Sequence, residues 1–181
     1  MTKNLANIRI YGDQDSVVYL APKGTTLPTT LAAPGVGFED LGWLSEDGVD
    51  VTREVSSTDF TAWQGGTIVR SKVSGVKDTI KVTCLEETAI SLGLLYPGST
   101  SATTTGVTTV TVPGGSNSNE KALVVDFIDD DVTKRYAIAR AEVTGTGTVS
   151  HKNTDMTMYE FTFTIYGGFT IITNNPAVAV A

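Results

Sequence analysis

The chain has very few residues that could carry nucleophilic or metal chemistry, with one cysteine, Cys84, and one histidine, His151, in 181 residues. A single cysteine excludes an intrachain disulfide and is typical of a reducing compartment. Zinc sites usually need about four His or Cys ligands, so zinc is excluded as well. Any catalytic triad would have to use His151, which stands in a polar stretch beside Lys152 and Asn153. We expect no catalysis and no cofactor.

Clusters of acidic residues remain as candidates for a hard cation. One comprises Asp126 with residues 129–131, and another comprises Asp13 with Asp15. Neither has the spacing of a calcium loop, and acidic residues are common in turns. Two glycine-rich fragments, at 35–37 and 145–147, do not open a helix after a strand, so the dinucleotide-binding interpretation fails. No metal site is predicted.

The sequence also lacks long hydrophobic runs and an excess of basic residues. No apolar run approaches the roughly 18 residues of a membrane helix, and residues 1–15 do not have the pattern of a secretory signal. The formal net charge of −7 makes nucleic-acid binding a poor hypothesis, because phosphate contacts depend on clustered Lys and Arg. We expect no membrane partner, and the simplest interpretation of the acidity is solubility.

Threonine and valine in alternating order are what the sequence does contain, and they favour β structure. Residues 48–96 are central, with alternating runs at 67–73 and 76–84 and a loop-like stretch at 56–66. A helix is expected over residues 86–95, with Glu86 and Glu87 in its first turn and Pro97-Gly98 after it. Further strands are expected at 7–11, 16–20, 49–55, 121–128, 135–143, 159–166 and 169–173, with one edge strand around Val107, Val110 and Val112 and a bend or bulge at 144–148.

These patterns predict a mostly β fold, a β-sandwich or partly open barrel with one flanking α-helix. We expect one domain over residues 1–181. Within it, residues 1–37 are interpreted as an N-terminal arm that packs on a neighbouring subunit. Residues 99–119 are interpreted as a flexible Ser/Thr/Gly-rich insert, and residues 174–181 as a C-terminal tail, whose last five residues (177–181) are expected to fray without a partner.

Ordered segments over roughly residues 36–168 resemble one protein family. They include Leu41-Gly42-Trp43 with residues 45–48, then Phe60 followed by Trp63. The strand-to-helix passage at 82–95 and the run Arg140-Ala141-Glu142-Val143 continue the resemblance. Together they resemble the major tail proteins, or tail tube proteins, of long-tailed, non-contractile bacteriophages of actinobacteria.

The resemblance implies a tail tube-like β-sandwich with a flanking helix, assembled as rings of six that stack into a hollow tube. It implies a structural virion protein that is assembled in the host cytoplasm and located in the virion tail. The implied partners are further copies of the chain, a tape measure protein, and tail terminator and distal tail proteins. DNA would pass through the lumen without specific binding, and an acidic bore would repel its phosphates.

Several residues are candidates for roles in such a tube. Phe60 and Trp63 are candidate apolar anchors between rings, with Arg70 and Lys72 meeting acidic groups on the next ring. The alternative is that these aromatics cover the chain's own core. The lumen-facing acidic candidates are Glu54, Asp78 and Glu160. In the helix, Ile90, Leu94 and Leu95 are expected to pack against the sheet.

Three other functions stay open at this point. The chain could be a monomeric immunoglobulin-like decoration or adhesion module of a virion, with its aromatics clustered at one end. It could be a tube protein of the type VI secretion kind, which shares the fold class. A hydrolase on a β-scaffold would require His151 in a cleft.

Overall fold

The computed structural model describes residues 3–115 and 117–179. The remaining residues of the predicted arm, insert and tail (1–2, 116 and 180–181) lie outside the described part. The strands are β1 (Val17–Pro22), β2 (Glu39–Asp40), β3 (Leu44–Thr61), β4 (Ile68–Cys84), β5 (Thr100–Thr104), β6 (Val107–Thr111), β7 (Lys121–Asp129), β8 (Val132–Thr146), β9 (Tyr159–Ile165) and β10 (Phe169–Thr173). The one α-helix in these residues is α1 (Ala89–Leu95), and short 3-10 helices cover Leu5–Asn7 and Pro176–Val178. None of these helices is long and apolar enough to cross a membrane.

Eight strands form one antiparallel sheet in the order β2-β1-β7-β8-β9-β4-β3, with β10 also paired to β8. The long strand β8 joins two halves of this sheet. One edge of β8 pairs with β7, and its other edge pairs first with β10 and then with β9. The register between β8 and β9 shifts between Val143 and Gly145, which is the bulge expected at this point.

The two halves of the sheet enclose one hydrophobic core. Its fully buried members come from both halves, with Val18 and Leu123 on one side and Ile80 and Phe163 on the other. In β9 the residues Tyr159, Phe161, Phe163 and Ile165 are all buried, as their alternation predicts. The mostly β fold with a single α-helix is confirmed.

Helix α1 begins later than the sequence indicated, because Thr88 and Ser91 form a capping box. The Thr88 hydroxyl accepts from the Ser91 N–H at 3.2 Å, and the Ser91 hydroxyl accepts from the Thr88 N–H at 2.8 Å. These bonds satisfy free donors at the helix start and fix Thr88 as the N-cap. Glu86 and Glu87 therefore precede the helix, and the prediction that they form its first turn is wrong.

The inner side of α1 lies against the sheet. Leu94 is buried in the core cluster, and Ile90 and Leu95 are partly buried against it. The buried hydroxyl of Ser91 also faces this side and is satisfied by the cap. The helix thus covers the core next to β9, the strand with which it makes its closest contacts.

The N-terminal region differs most from expectation. Residues 8–11, which follow the 3-10 helix at Leu5–Asn7, do not form the expected strand. Strand β1 lies inside the sheet between β2 and β7 and buries Val18 and Leu20. Residues 1–37 are therefore not a separate arm. The proline and glycine spacing that suggested an arm describes only the connection after β1.

That connection is tied to this chain by Arg135 of β8. The Nη1 atom of Arg135 donates to the carbonyl oxygens of Thr30 and Ala32, at 2.8 and 2.6 Å. Its Nε and Nη2 atoms donate to the two carboxylate oxygens of Asp126, at 2.6 and 2.5 Å. Both charged side chains are buried, and the carboxylate raises the pKa of Arg135. A buried ion pair in which every guanidinium nitrogen donates to an acceptor holds this loop in place.

The serine- and threonine-rich insert forms a hairpin of its own instead of one edge strand. Strands β5 and β6 pair only with each other and expose every residue. Thr105 and Gly106 join them with φ of 51° and 79°, the left-handed pair that a tight two-residue hairpin turn requires. The predicted single strand around Val107 is therefore wrong in its pairing.

The start of the C-terminal tail is bound to the sheet. The side chain of Asn174 accepts from the Thr133 N–H at 2.8 Å and donates to the Asp131 carbonyl at 2.7 Å. The side-chain amide of Asn174 thus satisfies two backbone groups at the turn between β7 and β8. The tail interpreted over residues 174–181 is thus attached to the sheet at its first residue, and the fraying expected of residues 177–181 stays a prediction.

Candidate assembly surface

The hairpin of β3 and β4 projects from the body of the protein. Strand β9 pairs with β4 only from Asp78 to Cys84, so beyond this point the hairpin has two strands and no third. We call this two-stranded part, residues 54–77, the ribbon. All of its residues are exposed except Ala62, which is half-buried. The separate strands at 67–73 and 76–84 are one strand, and much of the loop expected at 56–66 belongs to β3.

One face of the hairpin carries an apolar stripe. In the register of β3 and β4, Val51 is opposite Ile80 and Val55 is opposite Val76. Ile80 is buried in the core, so this is the core face of the sheet, which continues outward into the ribbon. The apolar stripe consists of Val51, Val55, Ile68, Val73 and Val76, each between 40 and 58% exposed. This is an apolar surface that residues 3–115 and 117–179 leave uncovered.

The opposite face is polar and extends from the hairpin onto β9 and β8. Asp50, Thr52 and Glu54 lie opposite Lys81, Thr79 and Lys77. Thr162 and Glu160 of β9 continue this polar face. Glu160 forms an ion pair with Lys81, with 2.7 Å between its Oε2 atom and Lys81 Nζ. The Thr164 hydroxyl meets that of Thr144 on β8 at 2.7 Å. We call this hydroxyl-rich surface the threonine face.

The three acidic residues suggested for the lumen do not share a surface. Glu54 and Glu160 lie on the threonine face, whereas Asp78 pairs across the strands with Arg53 and lies on the opposite face. The Asp78 carboxylate is 3.5 Å from Arg53 Nε, and its side chain is only 12% exposed. Grouping Asp78 with Glu54 and Glu160 is therefore wrong, because one residue of strand register reverses the face.

The end of the ribbon, which we call the tip (residues 58–72), brings the suggested contact residues together. Phe60 lies directly opposite Arg70, and Thr58 lies opposite Lys72, all on the face that continues the threonine face. Trp63 follows in the loop between the strands. Phe60 is 50% exposed and Trp63 is 96% exposed. The alternative that these aromatics cover the chain's own core is wrong.

The loop at the tip turns tightly, and this turn projects Trp63 away from the body. The Ala62 N–H donates to the Thr67 carbonyl at 2.8 Å and closes the loop. Gly65 and Gly66 have φ of 71° and 66°, a conformation that other residues rarely adopt. The pair Gly65-Gly66 was a sequence signal for this turn.

A large open groove lies at the other end of the hairpin, between the start of β1 and the base of β3. We call it the acidic groove, and its volume is about 1130 Å³. Besides Asp126, which is held by Arg135, its acidic lining residues are Asp13, Asp15, Asp40, Glu46, Asp47 and Glu86. Its aromatic lining includes Tyr11, Trp43, Phe127 and Tyr136, and Lys134 is the basic residue in the lining, 4.5 Å from the centre of the Tyr11 ring.

The sequence motif Leu41-Gly42-Trp43 shapes one wall of this groove. The Trp43 N–H donates to Glu86 Oε1 at 2.8 Å, so the carboxylate lies against the backbone. A Cβ at Gly42 would lie 2.7 Å from the Glu86 carboxyl carbon, and Gly42 also has φ of 88°. The glycine is therefore required for the carboxylate to approach. Sequence reasoning found this motif but assigned no surface to it.

Two further ionisable groups have shifted pKa values. Hydrogen bonds from Arg140 and then Lys23 lower the pKa of Glu120 to about 2. Burial raises the pKa of Cys84 to about 12, with a smaller contribution from Glu86. The Cys84 thiol therefore stays protonated at neutral pH.

No set of residues resembling a catalytic or metal centre is found in residues 3–115 and 117–179. They contain no group of three or more His, Cys, Asp or Glu side chains placed to hold a metal ion. His151 is exposed, and its Nδ1 atom lies 3.4 Å from the Thr157 hydroxyl. The prominent features are surfaces suited to contacts with other chains.

A β protein with an uncovered apolar ribbon is of the class of subunits that are completed by neighbours in an assembly. The sequence model of the phage tail tube protein family matches residues 1–175, and the chain belongs to that family. It is a structural protein of the virion tail and not an enzyme. A search of curated proteins gave no match.

Solved structures with a similar chain come from tail-like particles. One is the virion of a native gene transfer agent particle, at 13% identity and TM-score 0.48, covering 88% of this chain and 97% of the other. A second is the tail of an empty gene transfer agent particle with C6 symmetry, at 14% identity and TM-score 0.48, covering 88% of this chain and 96% of the other. A third is the six-fold symmetrised baseplate of the anti-feeding prophage, at 12% identity and TM-score 0.44, covering 94% of this chain and 97% of the other. At TM-scores below 0.5 these similarities carry no argument about this chain.

Proposed function

We propose that six copies of the chain form a ring and that rings stack into the tail tube of a long-tailed, non-contractile phage of the actinobacteriophage type. The tube is the conduit through which DNA enters the host. The observation that carries this proposal is the ribbon, which exposes valines on one face and a polar surface on the other. Closed rings need interfaces that close on themselves, whereas stacking needs a head-to-tail contact that does not.

The apolar stripe supports contacts between neighbours. Its five residues are each about half exposed, so burying the rest of one such side chain contributes roughly half of the 1.5–3 kcal/mol that full burial gives. The uncovered outer edge of β3 adds backbone donors and acceptors that a neighbouring strand can pair. At the tip, Phe60 and Trp63 serve as apolar anchors to the next ring, with Arg70 and Lys72 beside them.

The threonine face is the proposed lining of the lumen. It presents Glu54 and Glu160 together with threonine hydroxyls, and Lys81 neutralises part of this charge. The lysines of this face lie opposite acidic residues, Lys77 opposite Glu54 and Lys81 opposite Asp50, so in a chain of net charge −7 the face offers DNA phosphates no excess of cations. The tape measure protein would occupy this lumen first, and DNA would then pass without specific binding. Tail terminator and distal tail proteins would bind the two ends of the tube.

Negative-stain microscopy of the purified chain tests the assembly. We expect rings or hollow rods from the native chain and a loss of rods in the double variant Phe60→Ala/Trp63→Ala. The matched control is Met156→Ala, since Met156 is also exposed but lies outside the hairpin. A uniform monomeric particle at all concentrations, alone and in virions, would refute the proposal in favour of a decoration module.

The lining is tested separately by adding positive charge. Thr52→Lys/Glu54→Lys places two cations on the threonine face, while the control Thr109→Lys places one on the exposed β5–β6 hairpin. We expect both variants to form tails, with DNA release slowed only in the first. The measurement is DNA ejection from virions that carry each variant. Equal ejection from both variants would show that this face does not line the lumen.

A further inference from the structure

We propose that the acidic groove is the receptor for the tip of the next copy's ribbon, so that a single chain carries both halves of the head-to-tail contact. This inference rests on the proposed tube and identifies the surface that the tip contacts. The occupant is residues 58–72 of a second copy. Three properties of the described residues support it: chemical complementarity, size, and the placement of tip and groove at opposite ends of one hairpin.

The chemistry of the groove matches the tip. Acidic side chains such as Asp15, Asp40 and Glu46 lie on the groove rim and are exposed. The tip carries Arg70 and Lys72 as its cations, against one acidic residue in the same stretch, and is thus a positive region on an acidic chain. Such complementary charges orient an encounter and exclude like-charged surfaces.

The apolar parts also correspond. Trp63 is almost fully exposed among the described residues, and Phe60 is half exposed. The groove offers exposed Trp43 on one wall and the aromatic pair Tyr11 and Phe127, with ring centres 6.2 Å apart, on another. Aromatic side chains that enter an apolar pocket beside complementary charges are the usual anchors of protein interfaces.

The size of the groove favours a polypeptide over a small ligand. Small-molecule sites enclose roughly 300–1,000 Å³ and bury most of their ligand. This groove has about 1130 Å³ and is partly open to solvent. It therefore suits a hairpin loop with one large aromatic side chain.

The placement of the two surfaces explains why the contact must be between copies. The groove is lined by the first residues of β3, whereas the tip is at the far end of the same strand. From Glu54 to Thr61 the ribbon extends by roughly 25 Å at about 3.4 Å per residue. The tip therefore cannot reach its own groove. If the next copy is displaced along the hairpin axis by about this length, its groove meets the tip. Repeating the same displacement from copy to copy gives an open stack.

Site-directed cross-linking tests this contact directly, because buried Cys84 gives little background. Each variant carries Gln64→Cys in the tip loop and a second cysteine in the groove, from either Gln14→Cys or Glu46→Cys. The control carries Gln64→Cys with Met156→Cys, which is exposed outside the groove. Assembled rods are treated with a short bis-maleimide. We expect a ladder of covalent multimers from either groove pair and none from the control.

Charge exchange provides the second arm. Arg70→Glu/Lys72→Glu should abolish rods, and adding Asp15→Lys/Glu46→Lys to the same chain should restore them. The two proposals fail in different ways. Rods without a groove-specific ladder, or without rescue, would overturn the groove assignment and leave the tube intact. Native chain that never forms rods would overturn the tube and the groove together. Groove-specific cross-links only to another tail protein at the tube ends would also refute a copy-to-copy contact.

Discussion

The buried pair of Arg135 and Asp126 gives the sharpest stability prediction. Replacing Asp126 by Asn keeps the shape of the side chain but leaves the Arg135 guanidinium buried without a counter-charge. The side chains are 2 and 8% exposed, so water cannot replace the lost partner. Breaking a buried pair on one side costs about 3–5 kcal/mol. That is a large part of the roughly 5–15 kcal/mol that stabilises a typical domain.

Urea unfolding of dilute, unassembled protein measures this effect. With a slope near 2 kcal/mol per molar, the loss corresponds to a midpoint lowered by about 2 M. The matched control is Asp129→Asn in the same strand, whose carboxylate makes one longer contact, at 3.5 Å, with the partly exposed Arg9. We expect its cost to stay below about 1 kcal/mol. Equal losses in the two variants would refute the idea that burial makes the Arg135 pair different.

Arg135→Lys separates charge from geometry. Lysine keeps the positive charge but cannot reach both Asp126 oxygens and the carbonyls of Thr30 and Ala32 in a fixed plane. We expect faster proteolysis within residues 24–36, measured by mass spectrometry of limited digests. Unchanged cleavage there would mean that the loop is held by other contacts.

Four shorter predictions follow from the fold. Cys84 should react with a thiol reagent at pH 8 only after unfolding, because its pKa is raised to about 12, and fast reaction of the folded chain would contradict its burial. Glu120, with its pKa lowered from 4.5 to about 2, should add stability above pH 4.5 that is lost as the pH falls towards 2. Glu120→Gln should therefore lower stability at pH 7 and flatten the acid limb of the unfolding curve, and an unchanged curve would refute this. Thr88→Ala should cost about 1 kcal/mol in urea unfolding by removing the N-cap, with Thr109→Ala as an exposed control. Deleting residues 1–34 should unfold the chain by circular dichroism, since β1 is lost, and a folded product would contradict this.

The regular strands of the body could be predicted because their burial follows their apolar residues. In β9 the aromatic and aliphatic residues alternate and are buried, whereas the continuous apolar run of β7 is buried on both faces. The first residue of the helix was harder to predict, since residues of the type of Glu86, Glu87 and Thr88 are all common near helix N-termini. Only the reciprocal bonds between Thr88 and Ser91 decide where the helix begins.

Surface assignments failed where they depended on strand register. Glu54 and Asp78 are both acidic residues in alternating strands, yet they lie on opposite faces because Asp78 pairs with Arg53. The two register shifts within the ribbon, after Ser56 and after Phe60, could not be read from alternation. The acidic groove was missed for a related reason, since its lining comes from segments far apart in the sequence.

The ribbon shows that a correctly predicted strand pattern does not establish which strand faces are buried in the monomer. Alternating valines normally predict a strand with one buried face, but Val55, Val73 and Val76 share one face of the ribbon and remain exposed. A two-stranded hairpin gains little stability in water by itself, and a third strand or a covering surface is needed to hold it firmly. The sequence pattern of the ribbon is therefore that of a buried sheet, although none of the described residues forms a layer that covers it. In a tail tube protein, neighbouring copies are the surfaces that can supply it, so the exposed valines follow from the same rule as the core.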